Sequence, residues 1–233
     1  RFARAFSGKY QPGVACDVQF VLSRTQLRLQ HQGVTLAPKM LPRLLWPELV
    51  EWHPRQGAAD LPWGRHAHLN KEQRAAVDAI TAGTLQHTPY VVFGPPGTGK
   101  TVTLVAAVEQ LLRLPPPRRG AAHECPGGLR VLVCAPTNTA VDVIVARLAA
   151  GDVVESLPDK PLLRGMAFSR HRNDTPQTIL PFTKLKGEQF DDVLCSDITR
   201  PGLRVYAHTL AGVAKLYNQG LPKGTFDVMV VDE

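Results

Sequence analysis

Metal-ligand patterns are missing from this sequence. Its four cysteines, Cys16, Cys125, Cys134 and Cys195, form no CxxC pair, and none stands beside a histidine at ligand spacing. That excludes a zinc-built fold and suits a reducing compartment. Cys134 lies within an apolar strand pattern and reads as buried and inert. Long apolar runs are missing too. Nothing approaches the roughly 20 residues of a membrane-spanning helix, and no secretory signal pattern opens the chain. Aromatic residues are scarce, at 6%. Acidic charge is in deficit: the net charge is +7, with most of the excess in residues 1–68. A basic N-terminal third suits a polyanionic partner, although solvated surface accounts for it equally well. Hydrophobic content of 44% with 20% charged residues excludes a disordered chain. The 233 residues suffice for one large domain, or one domain plus part of another. The chain opens on Arg1 and closes on Glu233 directly after an apolar run, so it reads as a piece of a longer protein.

Its most informative stretch is Gly94-Pro95-Pro96-Gly97-Thr98-Gly99-Lys100-Thr101, a P-loop pattern. The apolar run Tyr90-Val91-Val92-Phe93 before it reads as a buried strand, and residues 102–112 after it read as a helix. Glycines let the backbone wrap a polyphosphate, and a helix N-terminus supplies unpaired N–H groups and partial positive charge. Lys100 is placed to reach the β- and γ-phosphates, and the Thr101 hydroxyl to ligate Mg²⁺. The run Val228-Met229-Val230-Val231 followed by Asp232-Glu233 is a Walker-B-type ending. Asp232 would hold Mg²⁺, and Glu233 would orient or deprotonate an attacking water.

Earlier in the chain, residues 14–30 alternate apolar and polar positions and read as a hairpin. Lys9, Arg24 and Arg28 could face nucleic acid or simply water. Prolines break residues 31–68, so only short helical pieces around 40–45 are expected there. Trp46, Trp52 and Trp63 punctuate this connector and are expected to pin it to its neighbour. Asn70 is a good N-cap for a helix through Ile80, with Gln73 at the capping-box position. Residues 115–128 are a low-complexity surface insertion. Strands follow at 129–134, 161–166, 203–207 and 226–231, with helices at 140–149 and 209–217 and a short one at 188–195. Strands alternating with helices argue a mainly parallel sheet covered on both faces, with ligand-binding loops along one rim. The expected fold is therefore α/β, a P-loop NTPase of RecA-like type. The long interval between Lys100 and Asp232, with two extra strand patterns, favours a helicase-type domain over a compact remodelling ATPase.

Five segments in order resemble superfamily 1 helicases of the up-frameshift-like group. They are Leu69-Asn70-Lys71-Glu72-Gln73, the P-loop, Ala135-Pro136-Thr137-Asn138-Thr139-Ala140-Val141-Asp142, Arg204-Val205-Tyr206-Ala207-His208-Thr209-Leu210, and Val230-Val231-Asp232-Glu233. The text at 24–31, 44–47, 89–93 and 101–104 is similar to the Moloney leukaemia virus ten, Armitage and silencing-defective type of RNA helicase. The resemblance covers nearly the whole chain outside 115–128 and thins over 168–200.

That resemblance implies ATP and Mg²⁺ as cofactors. Lys100 and Glu233 would be catalytic, Gln73 and residues 94–102 (through Val102) would hold nucleotide, and Thr101 and Asp232 would hold the metal. Pro136, Thr137, Asn138 and Thr209 would touch the RNA backbone, while an ordinary helix cap remains the alternative for 136–138 and capping remains one for Gln73. Residues 1–36 would end an accessory β-barrel, 37–68 would be a stalk or connector, and 69–233 would be most of the first RecA-like domain. The implied activity is 5′-to-3′ movement on single-stranded RNA, or on a duplex with an overhang, in cytoplasmic RNA silencing or turnover, with silencing proteins as possible partners. A second RecA-like domain is needed for unwinding, so the 233 residues alone are expected to unwind nothing. Another P-loop remodelling ATPase and a non-unwinding scaffold stay open as alternatives.

Overall fold

The computed structural model describes residues 24–40, 61–83, 88–115, 128–167 and 170–232. A four-stranded parallel sheet lies at its centre. Its strands are Val131–Ala135 (β1), Leu162–Arg164 (β2), Val205–Thr209 (β5) and Val228–Val231 (β6), in the order β2-β5-β1-β6. All five residues of β1 are buried, as a central parallel strand with both faces covered requires. Its side chains divide by the period of two. Val131, Val133 and Ala135 join one core with Val108, Leu111, Ile144 and Leu148, whereas Leu132 and Cys134 join another with Leu203, Tyr206 and Leu216. Burial pushes the Cys134 thiol up to about 12, so it stays protonated and inert.

The helices covering the sheet follow the sequence closely. Lys71–Ala82 (α2) starts at Asn70 with a full capping box, and ends on Gly83 in the left-handed region. Lys100–Arg113 (α3) follows the P-loop, Asn138–Ala149 (α4) follows β1, and a short helix, Asp152–Ser156 (α5), follows that. Leu210–Asn218 (α7) follows β5. Helix α2 docks on α3 through Val77 against Ala106 and Ala107, with Leu69 and the half-buried Trp63 alongside. Trp63 thus pins the connector as expected, and the Arg74 guanidinium sits 5.5 Å from its ring centroid. Trp46 and Trp52 lie outside the described residues, as do residues 14–23 of the expected hairpin and residues 116–127 of the insertion.

Three expectations fail. Residues Thr25–Met40 (α1) form a helix, not the second arm of a hairpin, so no β-barrel strand runs through 25–36. Leu27 and Leu29 alternate over too few positions to specify a strand, and Leu, Gln, Arg and Lys are good helix formers. Leu29, Gln32 and Leu36 share a half-buried helical face, while Leu27 and Val34 are exposed. Gln32 donates to Asn218 Oδ1 on α7 at 3.0 Å. The helix also contains Gly33 and, in its last turn, Pro38, which has no N–H to give to the ladder. Residues 185–199 are a small hairpin, Leu185–Lys186 (β3) with Gln189–Phe190 (β4), and then a helix at Cys195–Thr199 (α6), in place of a helix at 188–195. Gly187, at φ 63°, makes the turn that a helix there would not permit.

The third failure is the strand before the P-loop. Residues 90–93 are irregular, with Val91 76% and Phe93 94% exposed. An apolar run becomes a strand only if a ladder accepts it. Here a groove of about 260 Å³ lies between Tyr90 and Val92 on one side and β6 on the other.

Candidate functional site

Parallel pairing brings the loops after the strands to one rim. Ala135 is level with Thr209, Cys134 with Val231, and the Asp232 N–H donates to the Cys134 carbonyl at 2.9 Å. The turn at 136–138, Thr209 and Asp232 therefore share an edge, although they lie far apart in sequence.

The P-loop closes onto that edge. Gly97 and Gly99 have φ of 83° and 84°, which side chains other than glycine's tolerate poorly. Gly99 is the N-cap of α3 and offers no side-chain cap. The first N–H groups of the helix are thus left for an anion. Lys100 Nζ donates to the Gly94 and Pro95 carbonyls at 2.9 and 3.2 Å, curled inside the loop it would share with a phosphate. The Thr101 hydroxyl donates to Asp232 Oδ2 at 3.1 Å. A hydroxyl and a carboxylate converging beside the lysine and the open helix end form an oxygen donor set of the kind Mg²⁺ takes, so the residues fit a magnesium nucleotide. Glu233 lies outside the described residues.

Gln73 has both halves of its amide engaged. Its Oε1 accepts from the Asn70 N–H at 3.0 Å, completing the capping box, and its Nε2 donates to the Thr98 carbonyl at 3.0 Å. The capping role is visible in the sequence, whereas the bond to the P-loop is not. It ties α2 to the phosphate cradle.

On the other part of the rim, Pro136 and Thr137 are exposed and Asn138 is half-buried. Thr137 caps α4, its hydroxyl accepting from Ala140 N–H at 3.2 Å. Thr209 caps α7 in the same way, accepting from Gly212 N–H at 3.3 Å. Its hydroxyl also meets His208 Nδ1 at 3.1 Å, and the same nitrogen accepts the Thr209 N–H at 2.7 Å. Because Nδ1 accepts that N–H it carries no proton, so the Thr209 hydroxyl is the donor in the contact and shares the one lone pair. Its role as a cap is thus established in the fold, and both of its hydrogen-bonding functions are in use.

Burial, aided by the Arg164 and Lys215 charges, pulls His208 down to about 3, so the ring is neutral in the fold. An unfolded histidine titrates near 6.5. The unfolded state therefore binds the extra proton between pH 6.5 and 3, and stability falls as pH drops through that window. The expected loss is about 3 kcal/mol by pH 4. Thermal melts of wild type and His208→Asn from pH 7 to 4 test this. Asparagine keeps an acceptor for the Thr209 N–H, so its acid limb is expected to be flatter, and parallel limbs would refute the assignment.

Two buried charge clusters escaped the sequence reading. Glu109 on α3 is 1% exposed and accepts from both Arg65 and His66, the latter at 2.8 Å, in the 3₁₀ turn Gly64–His66 of the connector. Asp142 on α4 is paired with Arg164 and Arg170. The available signal was a charge embedded in an apolar helical run: Glu109 between Val108 and Leu111, and Asp142 between Val141 and Ile144. Among the described residues, no helix is long and apolar enough to cross a membrane.

Comparison with known proteins points the same way. Residues 68–183 match the family described as AAA domain. The whole chain is 31% identical to the putative helicase mov-10-B.1 of Danio rerio, spanning 22% of that protein. It is 27% identical, again over its full length, to the probable RNA helicase armi of Drosophila melanogaster, spanning 21% of it. Over 71% of its length it is 34% identical to the RNA helicase Mov10l1 of Mus musculus, covering 12% of that protein. The chain thus spans about a fifth or less of the length of these relatives.

Proposed function

Because the chain belongs to the up-frameshift-like superfamily 1 helicases of the MOV-10 and Armitage type, we propose that it is the nucleotide-binding part of an ATP-dependent RNA helicase. The supporting observation is the Thr101–Asp232 contact, which joins the P-loop to the strand end that shares a rim with 136–138. Residues 69–233 act as the first RecA-like domain, with the residues before 69 leading into it.

In this reading the N–H groups of 97–101 and the Lys100 ammonium bind the phosphates, while Thr101 and Asp232 hold Mg²⁺. Held there, Mg²⁺ would supply positive charge to offset that of the phosphates. Glu233 orients the attacking water. Gln73 places the adenine edge while gripping the Thr98 carbonyl, so base and phosphate ends of the site are connected through one side chain. Pro136, Thr137 and Asn138 contact the RNA backbone beside the α4 N-terminus, and Thr209 positions the neighbouring turn through its cap. Backbone contacts carry little base information, so the preference is for single-stranded RNA of any sequence, and binding weakens with salt. The full-length protein works 5′ to 3′ in the cytoplasm, in RNA silencing or turnover.

The test is ATP hydrolysis by the full-length protein with and without oligouridine RNA. Turnover is expected to rise at least about tenfold with RNA, as positioning of the phosphates is completed by the bound strand. Turnover indifferent to RNA would favour a remodelling ATPase acting on protein, and absence of turnover would favour a scaffold.

A further inference from the structure

Beneath the turn at 136–138 lies an ion cluster with more positive than negative charge. Asp142 is 4% exposed, and each of its carboxylate oxygens takes one guanidinium. Oδ1 accepts from Arg164 Nε at 3.0 Å, and Oδ2 accepts from Arg170 Nη2 at 2.6 Å. Arg164, at the end of β2, is fully buried. It also donates through Nη1 to the Gly165 carbonyl and through Nη2 to Asn138 Oδ1, the latter at 3.0 Å. Arg170 donates to the Asp174 carbonyl at 2.9 Å. The cluster thereby ties together the first turn of α4, the end of β2 and the 170–174 turn.

As a source of stability this cluster is a poor choice. Buried ion pairs rarely outperform apolar residues of similar volume, because desolvation offsets their attraction. One carboxylate facing two guanidiniums leaves a charge uncompensated. Its geometry has a more specific consequence. A guanidinium has donors and no acceptor, so Arg164 can receive only the oxygen of the Asn138 amide. The amide is held oxygen-inward, and its amino group, which donates, is left on the side away from the cluster. That is the polarity a phosphate oxygen requires.

We propose that Asp142, through Arg164 and with Arg170, is a positioning residue for nucleic-acid binding, holding Asn138 with its amino group outward as a backbone-phosphate donor. The inference rests on the reading of 136–138 as an RNA contact.

The experiment uses the full-length protein. It measures the affinity for fluorescein-labelled oligouridine by anisotropy, ATP hydrolysis without RNA, and thermal unfolding. Asp142→Asn is the direct variant, but it leaves two buried guanidiniums without an anion and can fail to fold. Arg170→Gln removes one arm and keeps the Arg164–Asp142 pair. It is expected to weaken RNA binding about fivefold or more, with RNA-free turnover and the KM for ATP unchanged. Asn138→Asp keeps an oxygen for Arg164 and replaces the outward donor with an acceptor, so the melting temperature is held while RNA binding falls. Arg170→Gln is expected to add nothing to Asn138→Ala, since both act through one amide. If Asn138→Ala leaves RNA affinity unchanged in a protein that binds RNA, the reading of the turn itself fails, and this inference with it. If Asn138→Ala weakens binding but Arg170→Gln does not, or the two effects simply add, the positioning role is overturned while the turn remains an RNA contact.

Discussion

Replacing Lys100 with alanine in the full-length protein is expected to lower ATP turnover by about 10²–10³-fold or more, the scale on which loss of one preorganised charge at a reacting phosphate acts. The Lys100 Nζ is bonded to the carbonyls of Gly94 and Pro95, so the ammonium already sits within the P-loop. Little rearrangement is needed to carry it from carbonyl to phosphate oxygens. Its removal costs the fold little, because the two lost bonds lie in an exposed loop. Such losses amount to about 1 kcal/mol or less. Hydrolysis and stability are therefore expected to separate: turnover vanishes while the melting temperature stays within a few degrees. Arginine at 100 keeps the charge but not the compact head, and is expected to be nearly as impaired as alanine. Steady-state kinetics alongside thermal melts would check this. Turnover of Lys100→Ala within about threefold of wild type would remove Lys100 from the site.

A large stability effect is expected at Glu109. This carboxylate lies 1% exposed on the helix that follows the P-loop. It accepts from Arg65, and from His66 at 2.8 Å, while Arg65 also reaches the Arg147 carbonyl at 2.6 Å. The next residue, Gln110, donates to the Pro62 carbonyl at 2.9 Å. One turn of α3 therefore holds residues 62–66 of the connector and, through Arg65, the end of α4. In Glu109→Ala the buried His66 loses its acceptor and Arg65 loses its anion. Breaking a buried pair typically costs 3–5 kcal/mol. Arg65, about a third exposed, can recover part of that from water, so about 3 kcal/mol is expected. For a domain of this size that lowers the melting temperature by roughly 6–12 °C. Glutamine at 109 keeps an acceptor and is expected to lose less. Proteolysis near residues 61–69 is expected to accelerate in the alanine variant as the connector is released. A loss under about 1 kcal/mol would show that Trp63 and Leu69 hold the connector unaided.

Local chemistry made much of this protein readable. The capping box at Asn70 and Gln73 is written within four residues, and its geometry is settled by them. The glycine spacing of the P-loop demands left-handed backbone at Gly97 and Gly99, and no distant contact is needed to foresee it. Continuous apolar runs at 131–135 and 205–207 announce strands buried on both faces, because each must satisfy its backbone in a covered sheet, whereas the run at 228–231 forms a strand whose Met229 and Val231 stay exposed. Where a pattern was short, the reading failed. Leu27 and Leu29 could belong to either period, and the face made by Leu29, Gln32 and Leu36 decided for the helix.

Other features are properties of the assembled chain. Whether residues 90–93 pair depends on what lies alongside them, which no local pattern records. Thr101 and Asp232 meet only because parallel register brings the end of β6 level with the rim that α3 approaches. Glu109 and Asp142 looked like isolated charges in apolar runs until the fold supplied the arginines that meet them. The sequence by itself determined the helix caps, the phosphate loop and the α/β class, because short-range sterics and side-chain period control these. Tertiary structure alone decided which charges are paired, which apolar run becomes a strand, and which way the Asn138 amide faces, because each depends on partners far away along the chain.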